Sequence, residues 1–227
     1  MAPFRGLLPF FSGTLSRRAL VAFIFPAAFV SYFGSLALAI CLVPGSHNWR
    51  STTISRLALY PQDNPEYYWI ASTGIALAGG FIIPFAGYLG RQLRWVTPAG
   101  SRIGAGIFRI GAAGSVVTGL IAYHGNSRFP MLHTLLARGS AFALGAAMIV
   151  FWVCALRGRF RSAAGRRRYG TVLIVVWSIL VLSGASAAVV STLEAANRFH
   201  GFTGLFEWAA SAIIFLFLLS SALLLPE

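Results

Sequence analysis

The sequence predicts an all-α, polytopic membrane protein in which six helices cross the bilayer and both termini lie in the cytoplasm. Composition is the first observation behind this prediction: of 227 residues, 57% are hydrophobic and only 10% are charged. A soluble domain of this size has about 25% charged residues, and its single core could not bury so much apolar surface. Lipid is therefore the solvent that this composition requires.

Six long apolar runs are the second observation. A helix needs about 20 apolar residues to cross a hydrocarbon core about 30 Å thick. The runs are continuous and lack the alternation of barrel strands, which favours helices. The first run is about twice as long as the apolar segment of a signal peptide, so we expect it to be retained. The whole chain, 1–227, is predicted to form one domain with spans at about 19–43, 67–90, 103–123, 131–155, 170–191 and 202–225.

The distribution of arginine is the third observation. All 18 basic residues are arginines, and twelve of them lie before the first span, between spans two and three, or between spans four and five. The positive-inside rule places these segments, and hence both termini, in the cytoplasm. The net charge of +13 is explained in this way, so we predict no nucleic-acid partner. Arg166, Arg167 and Arg168 are predicted to contact anionic lipid headgroups on the cytoplasmic side.

Two ionisable residues lie within spans on the predicted outer side. Arg138 is expected about 10 Å below the outer end of span four, and Glu207 about 7 Å below that of span six. Ionisable groups at such depth usually face a partner or a wet cavity. The pattern allows a structural ion pair between spans four and six, a headgroup-binding pocket, or snorkelling of the side chains to the interface.

The predicted outer side also carries all four histidines and four of the five acidic residues. His133 opens span four, and it could act in acid–base catalysis with Glu207 or Glu194 if the groups lay within about 3 Å of each other or of a shared water. No residue is assigned as catalytic on this basis. Histidines and carboxylates on one face could hold zinc, but the sequence has no HxxxH or HExxH spacing. We therefore predict no metal and no cofactor.

Glycine and proline predict features of helix packing. Small residues allow helix backbones to approach closely in lipid, so spans two and three are expected to pack tightly against each other. Pro26 and Pro84 are expected to kink their helices. The glycines behind this prediction are Gly79, Gly80, Gly104, Gly106, Gly111 and Gly114.

Three short motifs resemble those of the DRAM-like membrane family, which includes autophagy-modulating proteins and proteins of GPI-anchor lipid remodelling. Residues 53–75 resemble its first outer loop, although Arg56 stands where the family usually has an acid. Residues 125–142 resemble the entry to span four, and Glu207-Trp208 resembles a Glu-Trp pair in the last span. The matching positions in the two longer segments are Ile54, Ser55, Pro61, Pro65, Glu66, Asn126, Phe129, His133 and Ala137.

The resemblance implies six spans with cytoplasmic termini and a role in membrane lipid handling or trafficking. The implied location is the plasma membrane or an endomembrane such as the Golgi, ER, lysosome or vacuole. We predict a non-enzymatic modulator that binds membrane lipids through a headgroup pocket on the outer side. The alternative is a membrane-embedded enzyme that remodels acyl chains or GPI anchors; a transporter would instead place ionisable groups near the midplane. The predicted pocket residues are Ser55, Glu66, His133, Arg138, Glu207 and Trp208.

Overall fold

The chain folds as a series of α-helices, most of them long enough to cross a bilayer. The computed structural model describes residues 10, 12, 14–43, 53–59, 66–123, 130–161, 171–195 and 203–225. The helices in these ranges are α1 (Arg17–Leu42), α2 (Ile54–Leu59), α3 (Tyr68–Leu93), α4 (Pro98–Tyr123), α5 (Pro130–Arg161), α6 (Thr171–Ala195) and α7 (Thr203–Leu224).

Length and composition identify the membrane-spanning helices. Five helices, α1, α3, α4, α5 and α7, are long and apolar enough to cross a membrane. Helix α6 has 25 residues, of which Thr171–Ala187 form a shorter apolar segment. The predicted all-helical, polytopic membrane fold is confirmed. The placement of both termini in the cytoplasm stays a prediction.

Helix α3 lies at the centre of the bundle and packs most extensively against α4. Gly79 permits this contact, because a Cβ atom at this position would lie 2.8 Å from the Val116 nitrogen and 2.9 Å from the Ala112 oxygen. The predicted close packing of spans two and three is therefore observed. Glycines of α4 also allow close packing against α5, because Gly104 faces Phe151 and Gly111 faces Leu144.

An aromatic seam joins α1 to α7. The ring of Phe215 lies with its centroid 5.2 Å from that of Phe33, 5.8 Å from that of Phe29 and 6.1 Å from that of Phe25. In lipid, such packing replaces the hydrophobic effect as the force that holds helices together. The seam therefore fixes the first helix against the last.

The prolines are accommodated differently in α1 and α3. Two π-helical stretches interrupt α1, and the first, Leu20–Ile24, ends just before Pro26. A proline removes one backbone donor and clashes with the carbonyl four residues earlier, and a wider turn relieves this conflict. Helix α3 continues through Pro84 from Tyr68 to Leu93.

The helices alternate in direction, so the bundle has two ends of different composition. At one end Arg17 donates a hydrogen bond to the Leu223 carbonyl, which brings the start of α1 to the end of α7. We call this the arginine-rich end; α3 ends and α4 begins there. At the opposite end the backbone of Ile54 meets Glu207. We call this the acidic end, because Glu66 and Glu207 both lie there.

Candidate functional site

The carboxylate of Glu207 anchors the short helix α2 at the acidic end. Ile54 is the first residue of α2, and its N–H donates to Glu207 Oε2 at 2.7 Å. The first N–H groups of a helix have no partner within the helix, and a hydrogen bond to a carboxylate is stronger than one between neutral groups. Glu207 therefore ties the start of α2 to α7.

A second side chain holds the other end of α2. The Ser72 hydroxyl, which is fully buried in α3, donates to the Ala58 carbonyl at 2.6 Å. Between these two bonds, α2 buries Ile54, Leu57 and Ala58 against a small apolar cluster that includes Leu36 of α1. Helix α2 is thus fixed to the bundle at both ends and along one face.

Tyr32 continues this polar network into α1. Its hydroxyl lies 2.7 Å from that of Ser211, which donates at 2.9 Å to the backbone carbonyl of Glu207. Because Ser211 uses its only proton on that carbonyl, Tyr32 is the donor to Ser211. The polar groups of this network are satisfied within the protein, so their observed role is to join α1, α2 and α7.

The predicted pocket residues that the structure describes each make a different contact. Arg138 is exposed on α5, and among the side chains that the structure describes no ion pair joins it to Glu207, which is turned toward α2. Trp208 is partly buried and stacks on Phe33 with ring centroids 6.4 Å apart. Glu66 is exposed, and its backbone carbonyl accepts from the Trp69 indole. The Ser55 side chain lies outside the described part of the structure.

His133 is buried rather than open to a substrate. Its side chain is only 6% exposed, and it hydrogen-bonds the backbone of Thr118 on α4. Its Nδ1 atom is buried and has no hydrogen-bond partner among the described atoms. Within the described ranges it pairs with neither Glu66 nor Glu207, and no three His, Cys, Asp or Glu residues come together as metal ligands. Glu194 belongs to α6, but its side chain is not among those that the structure describes.

A cavity of about 330 Å³ lies at the arginine-rich end, between the end of α3 and the start of α4. Small residues leave this space open, since Gly87, Gly90 and Ala105 contribute little side-chain volume to its wall. We call it the arginine pocket. It is lined by Ser12, Gly87, Gly90, Arg91, Arg94, Ser101, Arg102, Ala105 and Arg109.

The arginine pocket has a strongly positive lining. Among the described residues that line it, four of nine are arginines and none is acidic. Each guanidinium stays charged and offers five N–H donors in a planar fork. Arg91 donates one of these to the Leu15 carbonyl at 3.2 Å, and all four arginine side chains are exposed. The pocket is therefore suited to an anion that accepts several hydrogen bonds.

Sequence reasoning missed this pocket, because it interprets arginines at span ends as determinants of topology. The spacing held a signal: Arg91 and Arg94 are three residues apart on α3, and Arg102 and Arg109 are seven apart on α4. Each pair therefore shares a helix face, and a tight hairpin turns the two faces toward one cavity. The predicted cytoplasmic contact residues Arg166, Arg167 and Arg168 lie outside the described residues.

Comparison with known proteins identifies the family of the chain. No curated protein and no solved structure matches it. A family model described as a protein of unknown function, DUF998, matches residues 26–224. The match takes in every helix from the middle of α1 to the end of α7, and the chain therefore belongs to the DUF998 family.

Proposed function

We propose that the protein is a non-enzymatic membrane protein that binds the phosphate-bearing headgroup of an anionic lipid in the arginine pocket. The observation that carries this proposal is the set of four arginines around one cavity, with no acidic residue in the part of the lining that the structure describes. Phosphate oxygens match the guanidinium fork, and such charge-assisted hydrogen bonds are about twice as strong as neutral ones. A cavity of about 330 Å³ is large enough for a headgroup.

The surroundings of the pocket favour a lipid over a soluble anion. Arg109 lies within the apolar span Pro98–Ile121 of α4. A soluble ion would therefore have to leave water to reach its side chain. Ile103 and Ile110 directly follow the pocket residues Arg102 and Arg109, and they are 57% and 68% exposed. An amphiphile can bond its headgroup to the arginines while its acyl chains cover these apolar side chains.

This proposal moves the predicted headgroup site from the acidic end to the arginine-rich end. Glu207, one of the predicted pocket residues, is engaged in holding α2 together with Ser72 of α3. The broader role in lipid handling, which the DRAM-like resemblance implies, stays part of the proposal. With the arginine-rich end in the cytoplasm, the lipid would belong to the cytoplasmic leaflet, which is rich in anionic lipids.

The enzyme alternative has less support from the geometry. A general acid or base must come within about 3 Å of the group that it serves, and His133 is buried against Thr118. Glu207, its proposed carboxylate partner, accepts from the backbone of Ile54. A buried histidine bonded to a neighbouring helix is better suited to joining α5 to α4.

Lipid-dependent thermal stability of the purified full chain tests the proposal. A ligand at 100 times its Kd stabilises a folded protein by about 2.7 kcal/mol. Phosphatidylglycerol should therefore raise the midpoint temperature of thermal unfolding, and phosphatidylcholine should not. Replacing Arg94 and Arg102 together by Gln should remove the rise. Arg157→Gln is the matched control, because Arg157 is an exposed arginine of α5 outside the pocket. Equal stabilisation by both lipids, or equal loss in the control, would contradict the proposal.

A further inference from the structure

We infer that the arginine pocket selects a lipid whose headgroup carries two separated phosphate groups; this inference rests on the proposed function and specifies its ligand. The charge balance is the first argument. Four guanidinium groups line the cavity, and its described lining contains no carboxylate. A headgroup with one phosphodiester carries a single negative charge and would leave three of these cations uncompensated. A second phosphate on the same molecule neutralises more of this charge without a second binding event.

The positions of the arginines along the helices are the second argument. Arg91, Arg94 and Arg102 lie within about one turn of the end of α3 or the start of α4, and they form the mouth of the pocket. Arg109 lies seven residues beyond Arg102, which places its Cα about 10 Å deeper along α4. The cationic lining is therefore extended along the helix axis, with one group of arginines at the mouth and one arginine inside the span.

An extended cationic lining favours two tethered phosphates over one. One phosphate at the mouth can accept hydrogen bonds from Arg94 and Arg102, and a second, deeper phosphate can accept hydrogen bonds from Arg109. Once the first phosphate is bound, the tether keeps the second at a high effective concentration, so its binding becomes intramolecular. Arg109 also gains from such a ligand, because an ionised side chain within a span is costly unless it has a partner.

Cardiolipin and phosphatidylglycerol provide a matched pair of probes. Both present phosphodiesters on glycerol, but cardiolipin carries two on one molecule. We expect cardiolipin, compared at equal total phosphate, to stabilise the detergent-solubilised full chain at a concentration at least about tenfold lower, because the second contact is intramolecular. Inorganic phosphate and pyrophosphate serve as soluble probes, and we expect neither to stabilise the protein at the concentrations at which cardiolipin does.

Arg109→Gln separates this inference from the proposed function. The variant should lose most of its response to cardiolipin and less of its response to phosphatidylglycerol, so the ratio of the two responses per phosphate should fall toward one. Arg157→Gln, outside the pocket, should keep both responses. Arg109 is exposed, so the variant should fold, and its lipid-free thermal midpoint checks this.

The possible results fall into distinct classes. Equal response to the two lipids per phosphate, or a cardiolipin preference that survives Arg109→Gln, would overturn the inference and leave the proposed function standing. Stabilisation by pyrophosphate equal to that by cardiolipin would overturn the choice of a lipid ligand. Absence of any response to phosphatidylglycerol that depends on Arg94 and Arg102 would overturn the proposed function itself.

Discussion

The two ends of the bundle use their polar residues in opposite ways. At the acidic end, Glu207 and Ser72 donate or accept hydrogen bonds within the protein and hold α2 against the bundle. At the arginine-rich end, Arg94, Arg102 and Arg109 are exposed around a cavity whose described lining residues include none that is acidic.

Polarity near a membrane therefore does not by itself mark a binding site. A polar group that is satisfied by a neighbouring helix contributes to the stability of the fold. A cluster of like charges without counter-charges in its own pocket has unused bonding capacity, and its field attracts an opposite charge. The acidic end should therefore respond to mutation in stability, and the arginine-rich end in lipid binding.

Gly74→Ala should give the largest loss of stability, in the half of the bundle nearest the acidic end. A Cβ atom at this position would lie 1.8 Å from the Ser35 hydroxyl oxygen and 2.3 Å from the Ser31 backbone oxygen. Because backbone must shift, we expect a loss of about 3 kcal/mol, at the upper end for overpacked cores. The measurement is the free energy of unfolding by SDS titration in mixed micelles.

Gly80→Ala is the control for this prediction, on the same helix. A Cβ atom there would meet nothing within 4 Å. Alanine is a better helix former than glycine, so stability should stay the same or rise by up to about 1 kcal/mol. Similar losses in the two variants would mean that α1 does not pack closely on α3 at Gly74.

Glu207→Ala should give the second largest effect. It removes a charge-assisted hydrogen bond at the start of α2, and such bonds contribute about 2 kcal/mol. Arg138→Ala and Glu66→Ala should be close to neutral, since both side chains are exposed. An ion pair between Arg138 and Glu207 would instead make Arg138→Ala about as destabilising as Glu207→Ala and leave Glu66→Ala neutral, so SDS titration of the three proteins decides between the two arrangements.

Ser72→Ala should cost about 1 kcal/mol, because it removes the hydrogen bond to the Ala58 carbonyl, which is the shorter of the two contacts that the hydroxyl makes with carbonyl oxygens. The effect should appear as faster hydrogen exchange in α2 as well as in the free energy of unfolding. Ser115→Ala is the control, because that hydroxyl donates only within its own helix, to the Gly111 carbonyl. Unchanged exchange in α2 would show that Ser72 does not hold this helix.

Arg102→Gln should give the smallest effect on stability and sharpens the comparison of the two ends. In the absence of lipid, the exposed side chain should change the free energy of unfolding by no more than about 0.5 kcal/mol. In the presence of phosphatidylglycerol, the same variant should bind more weakly than the wild type. A loss without lipid as large as that of Glu207→Ala would show that the pocket arginines are structural.

Much of the fold was predictable, but much less of the site. The apolar runs predicted the helices, and the glycines of spans two and three predicted their close packing, which Gly79 shows. The pairing of Arg138 with Glu207 rested on similar depths alone. Depth fixes only the position along a helix axis, whereas the rotation of each helix decides which neighbour a side chain faces. Glu207 faces α2, a helix that lies within a loop of the predicted topology.

The residues of each separate segment were enough to predict the lipid environment of this protein, its helical class and the separation of charge between its two ends. These properties follow from local composition, because each span must form its backbone hydrogen bonds within itself and must present apolar side chains to the lipid around it. Packing in three dimensions, in contrast, places α2 against the bundle and brings four arginines of α3 and α4 around one cavity. Such arrangements depend on helix rotation and packing between distant residues, which no single segment of the sequence specifies.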